Sequence, residues 1–154
     1  MNSHRHLKRL RCVWANHPVY FITVCLARRL SLLTTPAIYN ILTGELRILK
    51  TRHGWAVGSY VVMSDHVHMF LAPHSDTAKP LSVAIGKWKE WTAKGILPLL
   101  GISGPLWQPE FFDHVLRSER SRAEKWIYMR ENPVRTGLVA SQDEWPYAGW
   151  IDFP

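Results

Sequence analysis

Residues 55–72 read WAVGSYVVMSDHVHMFLA. Two runs rich in β-branched and aromatic residues, 55–63 and 66–72, flank the polar pair Ser64-Asp65. So short a link between strand-like runs predicts an antiparallel hairpin. Side chains alternate along a strand, so Val67, Met69 and Leu71 are expected to face the core while His66 and His68 share the opposite face. Two neutral imidazoles at that spacing can share one divalent cation. Two surface histidines are the other reading of the same pair, which therefore needs an independent witness. His53, His74 and His114 have no partner at a metal-ligand spacing, no HExxH is present, and the two cysteines, Cys12 and Cys25, cannot complete a structural zinc set.

Working outward, residues 19–26 (VYFITVCL) read as a strand. Residues 36–52 open on Pro36 after Thr34-Thr35, carry Ile38, Ile41, Leu42 and Leu46 at helical spacing, and predict one helix ended by Gly54. Residues 73–80 form a polar loop. Residues 81–94 predict a helix with Leu81, Ile85, Trp88 and Trp91 on its buried face, and the Gly- and Pro-rich stretch 95–109 predicts loop. Residues 111–116 predict a short strand, and 119–131 a helix ended by Asn132-Pro133. From Gly137 a loop is expected, anchored by Trp145, Tyr147, Trp150 and Phe153. The order β-α-β-β-α-β-α implies an α+β fold with an antiparallel sheet and helices packed on one face.

The 154 residues, 47% of them hydrophobic, suit one core: a basic arm over 1–17 and a single domain over 18–154. No apolar run is long enough to span a membrane, and the basic N-terminus lacks the apolar segment of a secretory signal, so a cytoplasmic, nucleoid-associated setting is expected. The formal charge of +7 suits a polyanionic partner. Arg5, Lys8, Arg9 and Arg11 in the arm, and Lys87, Lys89 and Lys94 on the 81–94 helix, are candidate phosphate contacts, a solvated basic face being the alternative. Eight tryptophans are an unusual load. Most are expected in packing roles, and one or two beside a basic groove would suit base stacking.

The witness for the histidines is residues 126–139, WIYMRENPVRTGLV. On the 119–131 helix, Ala123, Trp126, Ile127 and Arg130 form one stripe, while Tyr128 and Asn132, four apart, share a polar face and can address one site together. A phenol, with a reference pKa near ~10, becomes a useful nucleophile when a metal polarises its phosphate target. An ordinary surface tyrosine is the alternative.

Taken together, MSDHVHMFL and YMRENPVRTGLV, with LWQPEFFDHVLRSER (106–120) between them, resemble the motifs of single-tyrosine transposases of the HUH superfamily, in particular the REP-associated tyrosine transposases. The likeness spans roughly residues 18 to 150. It implies a ferredoxin-like α+β fold with a central antiparallel sheet and helices packed on it. It also implies His66 and His68 as metal ligands, Tyr128 as nucleophile and Asn132 as the polar residue completing a Mg²⁺ or Mn²⁺ site. Gln108, Asp113 and His114 match the pattern without an assigned role. Relatives often carry Pro-Asn before the first histidine, where this chain has Ser64-Asp65; Asp65 is either a support for the ligands or a turn residue.

The implied activity is metal-dependent cleavage and joining of single-stranded, hairpin-forming DNA such as palindromic repeats, through a 5′-phosphotyrosine, by a monomer or homodimer. A non-catalytic nucleic-acid-binding relative and a water-using phosphodiesterase are the rival readings.

Overall fold

The computed structural model describes residues 18–28 and 30–154. The basic arm and its candidates Arg5, Lys8, Arg9 and Arg11 lie outside the described residues. Five strands form one antiparallel sheet: β1 (Val19–Cys25), β2 (Trp55–Val62), β3 (His66–Pro73), β4 (Phe112–Leu116) and β5 (Ala148–Trp150). Their spatial order is β4-β1-β3-β2-β5. The first four strands thus lie in the ferredoxin-like order, with β5 added beside β2. The helices are α1 (Pro36–Leu46), α2 (Leu49–His53), α3 (Leu81–Leu100) and α4 (Glu119–Arg135), with a 3₁₀ turn at Gln142–Glu144. Among the described residues no helix is long and apolar enough to cross a membrane.

The β2–β3 hairpin forms where the sequence puts it. Neither Ser64 nor Asp65 takes positive φ, so the turn is not of the Asn-Gly type. It is held instead by neighbouring backbone: Met63 N donates to His66 O, Leu32 N and Leu33 N to Ser64 O, and Leu26 N to Asp65 O, at 2.8–3.0 Å. These bonds fix the start of β3, where the histidines stand.

The helices do not all sit on one face. Val67, Met69 and Leu71 join Ile22, Val24 and Val62 beneath α1, α2 and α3, around Ile38, Leu42, Leu49, Ile85, Trp88 and Ile96. On the histidine face, Val19, Phe21, Phe70 and Leu116 pack with Met129 and Trp126 of α4. A sheet apolar on both faces needs cover on both.

The expected 36–52 helix is two helices that break at Arg47-Ile48, so that α2 delivers buried Leu49 and then Gly54 (φ 78°) to the start of β2. Thr35 caps α1 by accepting from Ile38 N, with Pro36 in the first turn. The α3 helix continues through Gly95 and Pro98 to Gly101 (φ 63°), beyond the expected end at 94. Burying Ile96 (~1.5–3 kcal/mol) outweighs the ~1 kcal/mol cost of a helical glycine. Gly95 moreover admits Ile41 of α1 to close contact. The α3 stripe runs Ala84, Ile85, Trp88, Thr92, Ile96, which leaves Trp91 45% exposed instead of buried. The C-terminal stretch, expected as loop, contributes the 3₁₀ turn and β5.

Between Val57 and Tyr60 the β2–β3 register shifts by one residue, a bulge that exchanges the faces of β2. Gly58 sits in it, and the Phe153 ring occupies the space a Cβ would take. Gly58→Ala is expected to cost about 1–3 kcal/mol, as overpacking does. A thermal melt would check this; an unchanged Tm would mean that Phe153 is not seated there.

Candidate functional site

The pairing of β1 with β3 sets Thr23 opposite His68 and Cys25 opposite His66. The two imidazoles converge: His66 Nε2 and His68 Nε2 lie 3.1 Å apart. Their other nitrogens are held, His66 Nδ1 against Asp65 Oδ1 at 2.7 Å and His68 Nδ1 against Thr23 Oγ1 at 2.9 Å. Asp65 is thus a support that orients His66 as well as a turn residue. Phe21 stacks on the His68 ring, centroids 5.1 Å apart.

His68 is 6% exposed, and burial, with the His66, Arg135 and Lys125 charges adding to it, lowers its pKa to about 3. The ring is neutral at physiological pH and keeps a lone pair to offer. It is therefore not one of two ordinary surface histidines.

The α4 helix crosses this face. It does not stop at Asn132-Pro133 but runs to Arg135, with Pro133 inside its last turns. Its packed face is also rotated from the expected stripe: Met129, Asn132 and Pro133 are buried, whereas Ile127 is 56% exposed. Asn132 reaches both imidazoles, its Nδ2 3.0 Å from His68 Nε2 and 3.4 Å from His66 Nε2. Tyr128, one turn earlier and 48% exposed, stands edge-on to His68 with centroids 6.4 Å apart. Tyr128, Asn132, His66, His68, Thr23, Asp65, Gln108 and Phe112 line one open cavity of about 380 Å³.

The sequence candidates divide accordingly. Tyr128, His66, His68, Asn132 and Gln108 come together. His114 pairs with Phe21 and so projects from the site face of the edge strand β4, whereas Asp113 pairs with Ile22 and projects from the other. Lys87, Lys89 and Lys94 belong to α3, on the far side of the sheet from α4. Lys89 Nζ donates to the carbonyls of Gln108 and Pro109, and Lys87 and Lys94 both pair with Glu90.

Among the residues at the site that were not singled out from sequence are Thr23, Lys125 and Arg135. Thr23 needs the β1–β3 register to be found. Lys125 and Arg135 flank the Tyr128 ring, at 5.3 and 4.1 Å from its centroid, and Arg135 also donates to the Tyr128 carbonyl at 2.8 Å. They stand three before and seven after the tyrosine, spacings that share a helix face, so periodicity held that signal. Arg135 needed α4 to continue past its proline.

No family model matches the chain. Among curated proteins it is 28% identical over 131 residues to the REP-associated tyrosine transposase of Escherichia coli (strain K12), covering 84% of this chain and 74% of that one. It is 23% identical over 140 residues to a putative REP-associated tyrosine transposase of Haemophilus influenzae, covering 86% and 79%. Among solved structures, a REP-associated tyrosine transposase bound to a REP hairpin aligns with a TM-score of 0.72 at 26% identity, over 85% of this chain and 75% of that one. A putative transposase from Deinococcus radiodurans shares the fold at a TM-score of 0.54 and 23% identity, over 75% and 90%. The sheet order, the three motifs and these likenesses agree: in sequence and in fold the chain is similar to REP-associated tyrosine transposases.

Proposed function

We propose that this chain is a metal-dependent single-strand DNA endonuclease and strand transferase that works on hairpin-forming DNA through a 5′-phosphotyrosine at Tyr128. The observation that carries the reading is the shared cavity, in which a helix-borne tyrosine, two convergent imidazoles and a buried amide meet. The choice of hairpin DNA rests on the similar transposase that was solved bound to a REP hairpin.

The donor set fits a divalent cation. Both Nε2 atoms face one point, both Nδ1 atoms are held, and His68 is kept in the neutral form that ligates. An amide turned about its last bond exchanges oxygen for nitrogen, so Asn132 can present the hard oxygen that Mg²⁺ or Mn²⁺ prefers. His66, His68 and Asn132 would hold the ion, which when bound polarises the non-bridging oxygens of the scissile phosphate.

The remaining work falls to the protein's own groups. The Tyr128 oxygen attacks phosphorus and loses its proton as the new O–P bond forms. The bond to the 3′ oxygen breaks, and that oxygen leaves as a 3′-hydroxyl after gaining a proton. The 5′ phosphate stays on the tyrosine until a 3′-hydroxyl attacks it and rejoins a strand. Lys125 and Arg135, set over the Tyr128 ring, supply fixed positive charge where the phosphate anion must sit.

The test is a denaturing gel of protein, Mn²⁺ and an end-labelled hairpin oligonucleotide with single-stranded flanks. A denaturation-resistant protein–DNA band, absent with chelator, is expected. Cleavage that leaves only free 5′-phosphate ends would replace this reading with the water-using phosphodiesterase.

A further inference from the structure

The tryptophan load is only partly spent on packing. Trp55, Trp88 and Trp107 are buried, and each of their indole N–H groups has a partner: Lys79 O, Leu42 O and Thr92 Oγ1. Trp126, Trp145 and Trp150 instead gather around a second cavity of about 300 Å³, also lined by Val61, Arg130, Gln142, Asp143, Ala148 and Gly149. It opens on the same side of the sheet as the tyrosine site. Trp150 is 58% exposed, and among the described residues its side chain makes no ring contact or hydrogen bond. Its partner across β2–β5 is Ser59, in step with Val61 and Ala148, which brings its side chain to the α4 face. Arg130 lies over the Trp126 ring, 5.2 Å from the centroid, and pairs with Asp143 at 3.1 Å.

We infer that this cavity is a nucleobase subsite, which takes one unpaired base from the single-stranded DNA flanking the cleaved position. The inference rests on the DNA-cleaving reading above for its substrate class. Three properties favour a base over another occupant. Indole faces stack on any base, and an exposed one left idle at a cavity mouth is available for it. A guanidinium and a carboxylate side by side, with the Gln142 amide, offer both donor and acceptor to a base edge. The position also suits a strand already engaged by Tyr128. Trp126 and Tyr128 are two apart on α4 and project from nearly opposite sides of a helix about 10–12 Å across, a distance spanned by about three stacked nucleotides.

The test uses the full chain carrying Tyr128→Phe, so that binding is measured without cleavage. Two hairpin oligonucleotides are compared, one with single-stranded flanks and one without, and 2-aminopurine is placed at each flank position in turn. One flank position, a few nucleotides from the scissile phosphate, is expected to show quenched fluorescence on binding. Adding Trp150→Ala should release that quenching and weaken binding of the flanked hairpin about tenfold, the scale of one lost base–aromatic stack, while leaving the flankless hairpin unchanged. Trp150→Phe should restore most of the difference. Equal weakening on both hairpins, no weakening on either, or no quenched position in the unaltered cavity would overturn the subsite. A quenched position that responds to Trp150, in a protein whose Tyr128 form yields no covalent band, would instead retain the subsite and remove the tyrosine chemistry.

Discussion

Tyr128→Phe is expected to abolish the covalent protein–DNA band, lowering strand cleavage by roughly 10⁴-fold or more, while hairpin affinity changes by less than about tenfold. The first figure follows from the role: removal of a nucleophile leaves only what positioning and charge contribute. The second follows from the environment. The ring is half exposed at the cavity rim, and the contacts it makes through its face, to Arg135 and Lys125, survive in phenylalanine. The lost hydroxyl is worth at most one net hydrogen bond, ~0.5–1.5 kcal/mol. Single-turnover cleavage and a filter-binding or anisotropy titration read the two numbers separately. Near-normal cleavage in this variant would transfer the attack to water. A non-catalytic relative would show binding alone, with no cleavage by either form.

The sequence pattern made the site legible in outline because the chemistry sits on regular elements. Alternation in HVHMFLA was enough to put both imidazoles on one face, and i, i+4 spacing was enough to bring Tyr128 and Asn132 to one side of a helix. What alternation also held, and the histidines obscured, is that Phe70 and Ala72 continue the same face. With Val19 and Phe21 of β1, they make it a second core that requires α4 as its cover. The rotation of α4 was misjudged for a related reason. A stripe chosen by hydrophobicity counts Asn132 as solvent-facing, yet Asn132 is buried against the two imidazoles, and Ile127, on another side of the helix, is exposed. Helix ends failed at Gly95 and at Asn132-Pro133, where burial of Ile96 in one helix and of Asn132 and Pro133 themselves in the other carried the backbone past a local stop signal. Three-residue β5 is too short for any periodicity to mark. Thr23 was beyond reach for a different reason: its partner is 45 residues away, and only strand register joins them.

His66→Ala is expected to weaken Mn²⁺ binding at least about 100-fold and to remove metal-dependent cleavage, with metal-free hairpin binding retained. His66 is the apt position because its side chain is only 22% exposed yet sits at the hairpin end, where its removal frees Asp65 to solvent instead of opening the core. His68 is packed against Phe21, so its loss would mix metal effects with packing ones. The magnitude is anchored by a milder variant. Thr23→Val keeps the shape of the side chain but deletes the hydroxyl that meets His68 Nδ1, and supports of this kind are worth about 10–100-fold in metal affinity. A ligand should cost at least as much as its support, so the order His66→Ala, then Thr23→Val, then unaltered protein is the specific expectation. Calorimetric titration with Mn²⁺ gives the affinities directly, and cleavage across a metal series tells whether raised metal restores Thr23→Val before His66→Ala. If the two variants bind Mn²⁺ as tightly as the unaltered chain, the convergent imidazoles do not form the metal site. The positive charge at the phosphate would then have to come from Lys125 and Arg135 alone.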